Sequence, residues 1–171
     1  MLKKIGIGIG VIFLIIQFFQ PEKNLTDEHQ ADISTKYQLP DDVKSILKVA
    51  CNDCHTNKTD YPWYANIQPF GWWLNDHITN GKRHLNFSNF TKQSVARQNH
   101  KFEETIEVIE DDEMPLDSYT YLGLHAEANL TEDQKNILIN WAKEQMDFLK
   151  ANYPADSLKM RPRRGNQPPR N

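Results

Sequence analysis

Val43-Lys44-Ser45-Ile46-Leu47-Lys48-Val49-Ala50-Cys51-Asn52-Asp53-Cys54-His55 is the stretch that decides the fold. Val43, Ile46, Leu47 and Ala50 recur at helical spacing on one face, and Asp41-Asp42 behind Pro40 suit a first turn. The helix runs straight into the only two cysteines of the chain, which stand in the C-x-x-C-H spacing of covalent c-type haem attachment. Two thiols about one helical turn apart can add to the two vinyl groups of one porphyrin edge. The histidine that follows is then held against the iron.

Other uses of a C-x-x-C pair fit less well. A thioredoxin-like dithiol follows a strand in an α/β pattern, whereas a helix leads in here. A structural zinc site needs two further ligands in a second paired motif, and His77, His84, His100 and His125 do not form one. One haem c is the expected cofactor, with Cys51 and Cys54 as its attachment points and His55 as an iron ligand. For the opposite side of the iron Met114 is the first choice: it alone of four methionines sits in an interior loop, directly before Pro115, where the helix cannot continue. His125 is the second choice, then His77 or His84.

Working outward, the spacing predicts a helix over residues 93–112 with Val95, Phe102, Ile106 and Ile109 inward. A third helix follows the capping box Thr131-Glu132-Asp133-Gln134 and carries Ile137, Leu138 and Trp141 on its apolar face. Between residues 62 and 90 aromatic residues are dense and periodicity is poor, so a loop-rich wrap with a short helix near 72–78 is expected. Trp63, Tyr64, Phe70, Trp72 and Trp73 are placed there either to wall the haem or to fill the core, and Lys82 or Arg83 to pair with a propionate. No β-branched run reads as a strand. The fold class is all-α, and 171 residues suffice for one domain, set at residues 39–150.

Lys3-Lys4 ahead of an apolar run from Ile5 to Phe19, interrupted only by Gln17, reads as a membrane anchor or signal sequence over residues 1–20. No small-residue cleavage site follows, which favours a retained anchor, and the lysines place the rest of the chain across the membrane, in a bacterium in the periplasm. Residues 21–38 are polar and are expected to form a linker. Residues 151–171 end in a basic, Pro-rich stretch expected to be disordered. Between residues 22 and 156, 23 carboxylates face 13 lysines and arginines. A field of that sign disfavours nucleic acid and favours a basic redox partner.

Cys51-Asn52-Asp53-Cys54-His55, Pro62-Trp63-Tyr64, Trp72-Trp73-Leu74, Leu85-Asn86-Phe87-Ser88, Met114-Pro115-Leu116 and the stretch from Leu124 to Thr131 occur in an order that resembles the bacterial haem-binding domain family, related to cytochrome c. The resemblance covers roughly residues 39–149. It implies a periplasmic, membrane-tethered, cytochrome c-like helical domain with long aromatic-rich loops. In cytochromes c the terminal helices pair, so Val43, Ile46 and Leu47 are expected beside Ile137, Leu138 and Trp141. The expected activity is electron transfer rather than catalysis. The alternative is a haem enzyme or sensor of peroxide or gas, with a displaceable sixth ligand and His77, His84 or His125 acting nearby.

Overall fold

The computed structural model describes residues 1–121 and 124–160, and among these the regular structure is helical. Seven α-helices follow in chain order: α1 (Leu2–Ile16), α2 (Asp41–Ala50), α3 (Asn52–His55), α4 (Phe70–His84), α5 (Val95–Glu110), α6 (Asp117–Thr120) and α7 (Glu132–Asn152). Short 3-10 turns join them, and Leu25 and Lys58 form an isolated antiparallel bridge. The all-α expectation holds.

The amphipathic segments fold as their spacing dictates. Helix α2 buries Val43, Ile46 and Leu47. At the start of α7 the Thr131 hydroxyl accepts from the Gln134 backbone N–H, while the Gln134 side chain accepts from the Thr131 N–H. This reciprocal cap satisfies two otherwise orphaned donors. Helices α5 and α7 pack side by side, and α2 crosses α7, so that Val43, Ile46, Leu47, Phe102, Leu138 and Trp141 share one core with Ile137 at its edge. The Trp141 indole N–H donates to the Gln38 carbonyl at 2.9 Å, which lets a large amphipathic ring be buried without an orphaned donor.

A second, smaller core lies beside the first and comprises Tyr64, Ala65, Leu74, Ile78, Tyr119 and Ala128. Helix α4 supplies Leu74 and Ile78 to it, and here the structure exceeds the expected short helix near 72–78: α4 runs for 15 residues. Its apolar stripe is only Gly71, Leu74 and Ile78 wide, and the surrounding Asn, Thr, Gly and Trp residues weaken the helical signal.

The expected linker is instead part of the domain. Ala31, Ile33 and Tyr37 are buried, and the Tyr37 ring meets Phe90 and Phe102 edge-on. Its hydroxyl donates to Gln98 Oε1 at 2.6 Å. Asn24 donates to the Thr56 carbonyl and to Thr59 Oγ1, and Thr26 N–H donates to the Asn57 carbonyl. An irregular segment like this buries its few apolar residues through tertiary contacts, and these leave no periodic trace. The C-terminal expectation divides as well: α7 continues to Asn152, and Tyr153 and Leu158 pack against the main core. Residues 161–171 lie outside the described residues. No helix among the described residues is long and apolar enough to cross a membrane, so the expected anchor has no counterpart of full span.

Trp141→Ala is expected to lower stability by about 3–5 kcal/mol, as a buried large-to-small change. Equilibrium urea denaturation checks this, and an unchanged midpoint would count against the α2–α7 pairing.

Candidate functional site

Helix α3 is a single turn bearing the C-x-x-C-H motif, and it joins the two cores. Cys51 packs against the large core and Cys54 against the small one. Between them opens a cavity of about 300 Å³ lined by Cys51, Cys54, His55, Ala50, Gly81, Leu116 and Tyr119, among others. Its size lies at the lower end of the range for small-molecule sites.

Helices α2, α3, α4 and α6 and the turn after α5 form its walls. Helix α4 crosses α3 at Gly81, where an added Cβ would lie 2.7 Å from the Cys54 carbonyl oxygen and 3.1 Å from its Cβ. That approach turns one face of α4, with His77, Asn80 and His84, into the cavity. The opposite contribution comes from the turn that ends α5. Asp112 there adopts φ of 57°, its N–H donates to the Ile109 carbonyl, and the N–H groups of Glu113 and Met114 both donate to the Val108 carbonyl. This is a Schellman termination, and it directs the chain so that Met114, Pro115 and Leu116 line the cavity.

His55 is held by its Nδ1, 3.0 Å from the Leu85 carbonyl oxygen. A carbonyl only accepts, so Nδ1 carries the proton and the neutral ring keeps its lone pair on Nε2. Burial pushes the His55 pKa down, which favours that neutral form. Behind it a buried polar cluster fixes the Leu85–Ser88 segment: Asn86 donates to Asn57 Oδ1, Ser88 N–H donates to Asn86 Oδ1, and Asn57 N–H donates to Ser88 Oγ.

Burial pushes the thiols of Cys51 and Cys54 up, to about 12 and about 11. They are held as neutral thiols in a largely apolar wall. Among the described residues, no three His, Cys, Asp or Glu side chains gather to hold a bare metal ion. The donor set fits a large apolar group bound through carbon, sulfur and imidazole.

The expected ligands separate in space. Cys51, Cys54, His55, Met114, His77 and His84 all line the cavity, with His84 exposed at its rim. His77 Nδ1 lies 2.9 Å from the Trp73 carbonyl, so its Nε2 also bears the lone pair. His125 does not line the cavity. Its Nε2 is 2.7 Å from the Tyr64 hydroxyl, and its ring stacks on Tyr119 at 4.0 Å between centroids. Lys82 donates to Asn24 Oδ1 and Arg83 is exposed, and neither lines the cavity. Of the aromatics expected as walls, Trp63, Tyr64, Phe70 and Trp73 line a neighbouring cavity instead.

Asp53, Gly81 and Tyr119 also build the site, and no pattern in the sequence singles out Asp53 or Tyr119 for it. The Tyr119 hydroxyl donates to Asp53 Oδ2 at 2.9 Å, and Asp60 N–H donates to Asp53 Oδ1 at 3.0 Å. Burial raises the Asp53 pKa against these bonds. Asp53, Tyr119, His125 and Tyr64 thus tie the chain after Met114 to the C-x-x-C-H turn. The available signal for Gly81 was a glycine inside a helix with histidines four before and three after it.

Gly81→Ala is expected to cost about 1–3 kcal/mol as an overpacked contact, reversing the gain of about 0.5–1 kcal/mol usual for this change inside a helix. Urea denaturation of the chain with and without its bound group checks this. A stabilising result would mean that α4 moves freely off Cys54.

Two comparisons, with curated proteins and with solved structures, find no match. A family model described as a haem-binding domain matches residues 11–144, which takes in the cavity, the smaller core, most of the larger core and most of α7. With that match spanning most of its length, the chain belongs to the haem-binding domain family, which supports haem as its cofactor.

Proposed function

We propose that the chain is a monohaem c-type electron carrier, in which Cys51 and Cys54 would attach haem and His55 and Met114 would ligate its iron. The observation that carries this reading is that Met114, distant in sequence, lines the same cavity as the C-x-x-C-H turn. When bound, haem supplies an iron that cycles between two oxidation states. The protein's own residues do the rest. His55 is oriented by the Leu85 carbonyl with Nε2 toward bonding, and the Met114 thioether provides a soft ligand that favours the ferrous state. Ala50, Leu116 and Tyr119 limit access of water, and no acid or base is needed for the electron to pass. The acidic body offers a docking field to a basic redox partner.

Helix α1 is read as an inner-membrane anchor with the domain in the periplasm. Its residues are exposed and apolar all round beyond Lys3-Lys4, as suits a helix surrounded by lipid. Fifteen residues rise about 22 Å, short of a hydrocarbon core of about 30 Å. Snorkelling lysines extend that reach.

His77 gives a second reading for the sixth ligand, because it lines the cavity with its Nδ1 already committed to Trp73. Expressed in cells able to mature c-type haem, the wild type is expected to give a c-type pyridine haemochrome and a haem-staining band on a denaturing gel. Cys51→Ser with Cys54→Ser should lose both. The oxidised wild type should show a weak sulfur-to-iron band at the red end of its spectrum, which Met114→Ala abolishes while haem is retained. A spectrum unchanged in Met114→Ala but high-spin in His77→Ala would replace the methionine by paired histidines. A wild type that is high-spin and binds carbon monoxide rapidly would favour the enzyme or sensor reading.

A further inference from the structure

We propose that the face carrying Trp63, Phe70 and Trp72 docks on the bilayer that receives α1, holding the domain in one orientation instead of letting it swing on a tether. This rests on the reading of α1 as a membrane anchor and adds to it a second, interfacial contact. The junction between α1 and the domain has no slack. One residue beyond the end of the helix, Gln17 clasps Gln68 in both directions: Gln68 N–H donates to Gln17 Oε1 at 2.8 Å, and Gln17 Nε2 donates to the Gln68 carbonyl at 3.2 Å. Gln68 is completely buried, and its Nε2 donates to Gln20 Oε1 at 3.0 Å. Gln20 Nε2 in turn donates to the Asn66 carbonyl, and the Trp72 indole N–H donates to the Phe19 carbonyl at 2.7 Å. The segment Asn66–Trp72 is therefore fixed where α1 ends.

The side chains exposed beside that junction are of the interfacial kind. Trp63 is 72% exposed and Phe70 55%, and with Ile67, Pro69, Tyr121 and Leu124 they border an open apolar cavity of about 570 Å³. Phe18 and Phe19 are exposed next to them. Contiguous aromatic exposure of this extent marks an interaction surface, and Trp and Tyr are enriched where membrane meets water. Continuity selects lipid over a protein partner. A bilayer that accepts α1 reaches its surface at Gln17, and the clasp sets Phe70 and Trp72 at the same level. The short helix favours the same outcome, because sinking this face into the headgroup layer lets α1 sit deeper than it would beneath a freely suspended domain.

The test uses the full chain, haem-loaded and reduced, labelled with 5-fluorotryptophan. It is reconstituted in phosphatidylethanolamine–phosphatidylglycerol vesicles doped with a lipid that carries a gadolinium chelate on its headgroup, a paramagnet that the reductant leaves intact. The four indole fluorine signals are assigned by single Trp→Phe changes. Docking predicts severalfold broadening of the Trp63 and Trp72 signals relative to Trp141, which is buried in the large core. It also predicts that Phe70→Ser with Gln68→Ala diminishes that broadening while the chain stays with the vesicles. If the chain is retained but Trp63 and Trp72 broaden no more than Trp141, the docking is overturned and the anchor stands. If the chain does not remain with the vesicles, both are overturned.

Discussion

Everything around the cavity depends on the near contact of α4 with α3 at Gly81. No side chain fits between that backbone and the Cys54 carbonyl, so the absence of a Cβ sets how closely the two helices approach. From this one contact it follows that His77 and His84, a turn away in either direction, face the same space as the two thiols. It also follows that the small core, with Leu74 and Ile78, is built directly against the motif. A group attached to Cys51 and Cys54 would thus stand between two cores and be held by both.

The remaining walls are held by polar bonds within an apolar setting. The Schellman turn after α5 absorbs the last carbonyls of that helix and aims Met114. The bonds joining Asp53 to Tyr119 and Tyr64 to His125 then pin the chain that follows. On the other side, Asn57, Asn86 and Ser88 satisfy one another behind His55. Buried polar groups are costly when unpaired and specific when paired, so such clusters fix irregular segments where no helix or sheet could. The long stretches between helices use this device, which explains how a domain with so much irregular chain keeps a defined cavity.

The same economy governs the N-terminal approach. Residues 24 to 37 contribute few apolar side chains, yet Ile33 and Tyr37 reach the centre of the large core. Amide side chains at Gln17, Gln20 and Gln68 then make the junction with α1 rigid. The polar composition of residues 21–38 reads as a linker. Of the junction amides Gln68 is buried, Gln17 half-buried and Gln20 exposed, and all three bond across the junction.

The sequence by itself determined the helical class, the α2 and α7 faces, the cap at Thr131 and the C-x-x-C-H spacing. Each is a local property: spacing on one helix, one reciprocal cap, or five consecutive residues. The place of Met114 beyond the end of α5 was also legible, since the proline that follows it cannot continue a helix. Only the tertiary structure decided which histidines reach the cavity. It turned His125 toward Tyr64 and Tyr119 and brought His77 to the site, because orientation there comes from the Gly81 contact and from partners tens of residues distant. It likewise decided that residues 21–38 belong to the domain, since burial by scattered long-range contacts has no period for a sequence to display.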